Sequence, residues 1–211
     1  MSKSPFHEVS LMKPEDIDTL SQSAASAYQA YPLFEYFIGK NDYDDTARLI
    51  MSASIKSMGT KAMGITCGEH GEAFVVFARP NYSGTPALPF LRSGGLKLAA
   101  RYSPALLLRL LHYENYAMKM KKRHTDRNCW YLYTLTVAPE LQHKGMATRV
   151  LQPMLNFFDG TGQSCYLETH KASNVQLYEH YGFRLVETGK IPGTDIVHYA
   201  MLRKPRFNTS R

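Results

Sequence analysis

Two features of the sequence predict a mixed α/β fold, a sheet with helices packed on it: strands and helices alternate through the last third, and the apolar period switches cleanly between them. Residues 130–137, WYLYTLTV, have the aromatic and β-branched content of a strand. Met146, Val150, Leu151, Met154, Leu155 and Phe158 then recur at helical spacing. Residues 164–169 (SCYLET) read as a strand, 173–181 as a short helix, 183–187 as a strand and 197–203 as a final strand. Strand, helix, strand, helix, strand, strand builds a mixed sheet. The chain has 211 residues, 44% hydrophobic and 20% charged, which fits one domain over residues 1–211.

The first part of the chain is less regular. Pro14, Glu15 and Asp16 form the first turn of a helix that carries Leu20, Ala24, Ala27 and Tyr28 on one face. A second helix starts after Asn41 and Asp42, keeps Ala47, Ile50, Met51, Ser54, Ile55 and Met58 in helical register, and ends at Gly59. Residues 64–67 and 72–78 flank GEHG at 68–71, a hairpin signal. Residues 80–103 read as a loop with a short helix near 96–101. Ser103 and Pro104 are then a good N-cap and first helical residue. Leu106, Leu110, Tyr113, Ala117 and Met120 extend from them as the stripe of a long amphipathic helix.

Composition excludes several classes. No apolar run approaches the ~18–20 residues that cross a bilayer. The opening segment, MSKSPFHEVSLMKPED, lacks a basic patch followed by an apolar core, so no secretory signal is expected, the sequons at Asn81 and Asn208 carry little weight, and a cytoplasmic location is expected. Cys67, Cys129 and Cys165 are widely spaced, with no CxxC pair and no HExxH, and read as reduced strand residues; no metal site is expected. The net charge of +7, from 25 Lys and Arg against 18 Asp and Glu, suits an anionic partner: nucleic acid, an acidic membrane surface or a phosphorylated cofactor. The densest basic runs are KMKKRH at 119–124 and RKPR at 203–206. A helix's last turn favours such residues for its dipole alone.

Among these partners, one segment selects the phosphorylated cofactor. Residues 139–147, PELQHKGMA, lie between a strand and a helix, where unpaired N–H groups and the helix dipole converge on one spot. Gly145 lets backbone approach a ligand without a Cβ, and Lys144 adds a positive charge. Competing phosphate motifs fail. Gly39 with Lys40 and Gly189 with Lys190 lack the rest of a Walker A loop, and Gly160 and Gly162 precede a strand instead of following one.

Residues 130–205 resemble the GNAT superfamily of acyl-CoA-dependent N-acetyltransferases. QHKGMA at 142–147 is similar to the family's pyrophosphate loop, and LETHKASNVQLYEHYGF at 167–183 to its second motif. WYLYTLTVAPE, the Leu167, Glu168, Thr169 triplet and the closing YAMLRKP are most similar to the puromycin N-acetyltransferase-like group. The resemblance implies the GNAT fold: a mixed, mostly antiparallel central sheet flanked by helices. Residues 80–127 would be a loop and helical insertion before the fourth strand, and 130–205 the cofactor-binding core. It implies transfer of an acetyl group from acetyl-CoA to a primary amine of a small molecule, by direct attack in a ternary complex, with no metal, nucleic acid or membrane involved. A protein or peptide acceptor, and a module that binds acyl-CoA or nucleic acid without catalysis, are the alternatives; the oligomeric state, monomer or homodimer, stays open.

Each role then has a candidate. By resemblance, His143, Lys144, Gly145, Met146, Ala147 and Thr148 offer backbone N–H groups to the pyrophosphate, with Gln142 at the loop entrance. Leu135, Thr136 and Val137 pair with the pantetheine arm, and the N–H of Thr136 or Val137 faces the developing oxyanion. Tyr178 hands a proton to the leaving thiolate, since a phenol of pKa ~10 is protonated at neutral pH and a thiol titrates near ~8.5; Tyr181 is the alternative. Asn174 touches pantetheine or caps its helix. An alkyl amine of pKa ~10.4 costs about 4.6 kcal/mol to present neutral at pH 7, so a base is needed. Glu168 is the first choice, with His170, Glu114 and Tyr133 as alternatives. Alternation puts Glu168 and Cys165 on opposite faces of their strand without saying which faces the cleft. Tyr28, Tyr31, Phe34, Tyr36, Phe37, Tyr113 and Tyr116 either wall a pocket for a hydrophobic or aromatic amine or pack the core.

Overall fold

The computed structural model describes residues 9–39, 42–68 and 71–206. Lys40, the helix-start residue Asn41, the hairpin-turn residues Glu69 and His70, and the sequon at Asn208 lie outside the described residues. Strands β1 (Val9–Leu11), β2 (Ala62–Cys67), β3 (Ala73–Ala78), β4 (Trp130–Val137), β5 (Cys165–Thr169), β6 (Arg184–Lys190) and β7 (Val197–Arg203) form one sheet. Their order is β1-β2-β3-β4-β5-β7-β6. Every pairing is antiparallel except β4 with β5. This is the mixed, mostly antiparallel sheet of the GNAT fold.

Helices cover both faces. On one, α7 (Met146–Thr161) buries Met146, Val150, Leu151, Met154, Leu155 and Phe158 against Val75, Phe77, Trp130, Leu132, Cys165 and Leu167. Tyr178 of α8 (Ala172–His180) joins this cluster. Opposite lie α1 (Ile17–Ala27), α2 (Pro32–Ile38), α3 (Tyr43–Met58), α4 (Ala87–Phe90), α5 (Leu96–Arg101) and α6 (Pro104–His124), several of them packed on Phe74 and Val76. α6 begins as its sequence dictates: Pro104 is the first helical residue, and Ser103 Oγ accepts the Ala105 N–H at 3.1 Å.

Three elements depart from the sequence reading. β1 was not expected; its three residues are exposed, and it exists by pairing Val9, Ser10 and Leu11 with Cys67, Thr66 and Ile65. α2 replaces an irregular aromatic stretch, because Pro32 fixes the first turn and Leu33, Phe34, Phe37 and Ile38 are buried on one side. The expected 80–103 loop holds α4 as well as α5, joined by a π-turn over Leu91–Gly95. All three cysteines are buried and free; Cys67 and Cys165 lie in strands, and Cys129 just precedes one. Among the described residues, no helix is long and apolar enough to cross a membrane.

Two irregularities of β4 shape the site. Val76 pairs with Thr134 but Phe77 with Leu132, so Tyr133 is a bulged extra residue. The bulge resets the alternation. Trp130 and Leu132 face α7, and so do Leu135 and Val137, while Tyr133 and Thr134 both turn to the other side. Further, β4 and β5 pair only at Trp130 with Cys165 and Tyr131 with Tyr166. From Leu132 onward the sheet is open between them.

The basic run at 119–124 is partly tied into the structure. Lys121 is buried and donates to the Tyr82 carbonyl at 2.9 Å; Arg123 and His124 meet the Glu187 carboxylate of β6 at 2.6 and 2.5 Å. These partners, with His124 first, hold Glu187 below the usual carboxylate range.

Candidate active site

The loop from β4 to α7 makes a short 3-10 turn at Pro139–Leu141 and then reverses twice, with positive φ at His143 (62°) and Gly145 (77°). A side chain at Gly145 would be strained by that φ, though the space a Cβ would enter holds no protein atom within 4 Å. Glycine is therefore required here for its backbone conformation, and not by crowding from the protein. Gly145 is the N-cap of α7 and offers no side-chain hydrogen bond, so the first-turn N–H groups at Met146, Ala147 and Thr148 have no capping acceptor. Gln142, His143, Lys144, Gly145 and Thr148 are exposed, Ala147 is half-buried, and Met146 is buried under α7. Gln142 Nε2 donates to the Val137 carbonyl at 3.3 Å, closing the loop onto the end of β4.

A cavity of about 340 Å³ opens at the splay of β4 and β5. Leu135, Glu168, Asn174 and Tyr178 line it, as do Tyr28, Tyr31, Phe34, Phe37 and Tyr113 of the expected aromatic wall. Tyr36 and Tyr116 do not; they pack on Phe37 and His198, with ring centroids 5.8 and 5.2 Å apart. The hydroxyls of Tyr28 and Thr134 are hydrogen-bonded at 2.7 Å, and Tyr28 also donates to the Leu135 carbonyl at 3.3 Å.

Tyr178 is buried, with its ring edge-on to Phe183 at 5.8 Å; burial raises its phenol well above the usual value, so it is protonated across the neutral range. Tyr181 is engaged elsewhere, its hydroxyl bonded to Thr148 Oγ1 at 2.9 Å, and it does not line the cavity. Asn174 lies at the third position of α8, inside the helix, and Nδ2 donates to Thr169 Oγ1 at 3.1 Å. That geometry corrects the capping alternative: Asn174 steadies the end of β5 and caps nothing.

Glu168 faces the cavity and Cys165 the α7 side, which settles the alternation the sequence left open. Tyr113 donates to Glu168 Oε1 at 3.2 Å, and Tyr131 makes a shorter bond to the same oxygen. Oε2 is buried with no hydrogen-bond partner. Burial, reinforced by the nearby Glu114, raises this carboxyl to about 7 against the opposing pull of Tyr131, Tyr113 and Lys121. The alternatives are less apt. His170 is bonded through Nε2 to His198 Nδ1 (3.2 Å) and through Nδ1 to the Tyr31 hydroxyl (3.3 Å), and burial lowers it to about 3. Glu114 Oε1 accepts the Thr85 N–H at 2.7 Å and the Tyr82 hydroxyl at 3.3 Å. Burial raises Tyr133 far above neutral pH.

Sequence reasoning missed Tyr131, Thr169 and His198 as site neighbours. Alternation in 130–137 places Tyr131 opposite Trp130, but only the parallel β4–β5 register brings it to Glu168. Among the described residues, no cluster of His, Cys, Asp and Glu could hold a metal ion.

Residues 110–183 match the model of the Acetyltransferase (GNAT) family. An uncharacterized N-acetyltransferase of Schizosaccharomyces pombe is 34% identical over 61 residues, which cover 29% of this chain and only 25% of that relative. A solved structure described as histone acetyltransferase HPA2 and related acetyltransferase, from Corynebacterium glutamicum, aligns over 95% of this chain and 97% of its own, with TM-score 0.65 and 20% identity. The PaiA N-acetyltransferase from Thermoplasma acidophilum, solved in complex with coenzyme A, aligns over 93% and 99%, with TM-score 0.53 and 13% identity. The family model thus covers about a third of the chain, and the solved structures share its fold.

Proposed function

We propose that this protein is an N-acetyltransferase that moves the acetyl group of acetyl-CoA to the primary amine of a small molecule, by direct attack in a ternary complex. The observation that carries the reading is Glu168: a buried carboxylate oxygen with no partner, in the cavity that Tyr178 also lines, at the opening between β4 and β5. The likeness of residues 130–140 and 199–205 to the puromycin N-acetyltransferase-like group supports a small-molecule acceptor.

The loop and strand residues fit a phosphate-bearing pantetheine ligand. The loop from His143 to Gly145, the uncapped first turn of α7 through Thr148, and the Lys144 charge suit the phosphates, with Gln142 closing the loop behind them. Leu135, Thr136 and Val137, beyond the last β4–β5 pair, suit an extended amide chain. Asn174 and Thr169 hold the opposite side. Bound acetyl-CoA supplies an acetyl group already activated as a thioester.

The protein's own residues then move the protons. Glu168 Oε2 takes a proton from the amine, with Tyr113 and Tyr131 fixing the carboxylate through Oε1. As the N–C bond forms and the C–S bond breaks, the Tyr178 hydroxyl gives its proton to the departing sulfur. The phenolate and the carboxylic acid reset by proton exchange with water, so the sum is one amide and one thiol. A module that only bound acyl-CoA would have no use for a base of pKa about 7 at that position.

The test pairs calorimetry with a thiol-release assay. Acetyl-CoA is expected to bind, and Tyr178→Phe to lose about 10²–10⁴-fold in kcat with its acetyl-CoA affinity intact. No binding at millimolar acetyl-CoA overturns the reading; binding with undiminished turnover in Tyr178→Phe overturns the acid assignment.

A further inference from the structure

The net charge of the chain is +7, yet the cavity at the β4–β5 splay is lined by acidic side chains. Glu168 and Glu114 both line it, and among the described residues no lysine or arginine does. The one basic ring there, His170, is hydrogen-bonded to His198 and Tyr31 and stays uncharged at neutral pH. Arg109 of the neighbouring α6 turns away, with Nε and Nη2 on the Phe37 carbonyl at 3.0 and 2.6 Å. An acceptor with a carboxylate or phosphate would bury an anion beside two acidic side chains and find no cation to compensate it.

Leu33, Phe34, Phe37, Phe90, Leu107 and Leu110 give the wall an apolar side, and Ser54, Thr85, Thr134, Thr169, Asn174 and several tyrosines add only uncharged polar groups. The two carboxylates differ in how far they are engaged. Glu168 Oε2 has no partner, whereas Glu114 Oε1 is already used by the Thr85 N–H and the Tyr82 hydroxyl. A second ammonium group would have to compete with the Thr85 N–H and the Tyr82 hydroxyl for Glu114, or be desolvated among uncharged side chains. The volume, about 340 Å³, is at the small end of the ~300–1,000 Å³ typical of ligand pockets.

We infer that the acceptor is a small apolar monoamine that carries no carboxylate or phosphate, seated with its nitrogen at Glu168 Oε2 and its hydrocarbon body against α2, α4 and α6. Such compounds are what decarboxylation of an apolar amino acid supplies, so that reaction class stands immediately before this one. The inference rests on the acetyl-transfer reading above and narrows its substrate.

Matched compounds test it. 2-Phenylethylamine, phenylalanine and 1,4-diaminobutane are compared by thiol release on the intact protein, with acetyl-CoA binding measured in parallel. The arylalkyl monoamine is expected to lead each of the others by about 100-fold or more in kcat/KM. Leu111, which lines the cavity but is 56% exposed, accommodates a charge, and Leu111→Arg is expected to bring phenylalanine within about 10-fold of the monoamine. Preference for phenylalanine or the diamine in the unmodified protein overturns the inference while leaving acetyl transfer standing. An unchanged ratio in Leu111→Arg overturns the role given to wall charge. Turnover of none of the three, with acetyl-CoA bound, overturns the inference about the acceptor, whereas failure to bind acetyl-CoA overturns the acetyl-transfer reading.

Discussion

Glu168 shows how much one side chain's surroundings decide. Its strand presents it to a cavity instead of to α7, two tyrosines hold one oxygen, and the other oxygen is left alone. The carboxyl titrates near 7, so its basic form accumulates as pH rises through that value, and kcat/KM is expected to climb over pH 6–8 and then level. Stability runs the other way. A folded-state pKa above the ordinary 4.5 means that stability is full below about 4.5 and is lost as pH rises through 7. Glu168→Gln keeps an oxygen for Tyr113 and Tyr131 but cannot ionise. Its advantage in denaturant stability over the unmodified protein should grow between pH 5 and pH 8 by on the order of 2–3 kcal/mol, as its turnover collapses. A pH-independent gap would show that the carboxyl titrates normally. Glu168 itself was legible in the sequence as a strand residue inside a motif. Its facing and its two tyrosines were not, because a parallel pairing between segments about thirty residues apart leaves no local trace.

At the level of elements, legibility follows length and self-sufficiency. β4 and β7 run from Trp130 to Val137 and from Val197 to Arg203, the spans their aromatic and β-branched content marks out, and α6 starts at its Ser103 cap. β1 carries no comparable signal; three exposed residues become a strand only because β2 offers an edge. α2 is seven residues whose aromatics read equally well as a pocket wall. The α7 entry was the most readable part of the site, since the loop, the glycine and the helix that follow one another in sequence also work together in space. Gly145→Ala puts a Cβ at φ 77° and should cost about 1 kcal/mol of stability. The distorted first turn should weaken acetyl-CoA binding about tenfold by calorimetry, with the melting profile otherwise cooperative; affinity equal to that of the unmodified protein would remove α7's N-terminus from the phosphate role.

Across the whole molecule, the sheet is two pieces, β1–β4 and β5–β7, joined in hydrogen bonding by only two residue pairs. Helices on both faces carry the rest of the connection, with α6 reaching β5 through Tyr113 and β6 through Arg123 and His124. This arrangement ties part of the basic run to architecture: of its four Lys and Arg residues, Arg123 is spent on Glu187 and Lys121 on the Tyr82 carbonyl. Acetyl-CoA at 100 times its dissociation constant should add about 2.7 kcal/mol, roughly 5–10 °C in Tm for a chain this size. In hydrogen exchange, the slowed amides should include those in 132–137 that face the opening; protection confined to the surface of α6 would contradict the proposed placement. The gap between β4 and β5 has one more consequence. Unpaired strand edges ordinarily invite other chains and must be guarded at the rim of a sheet. Here two of them face inward, screened by helices, so the hunger of an unfinished ladder is reserved for a slender guest. In the proposed reading, acetyl-CoA is in effect a rung that the protein's own gene does not encode.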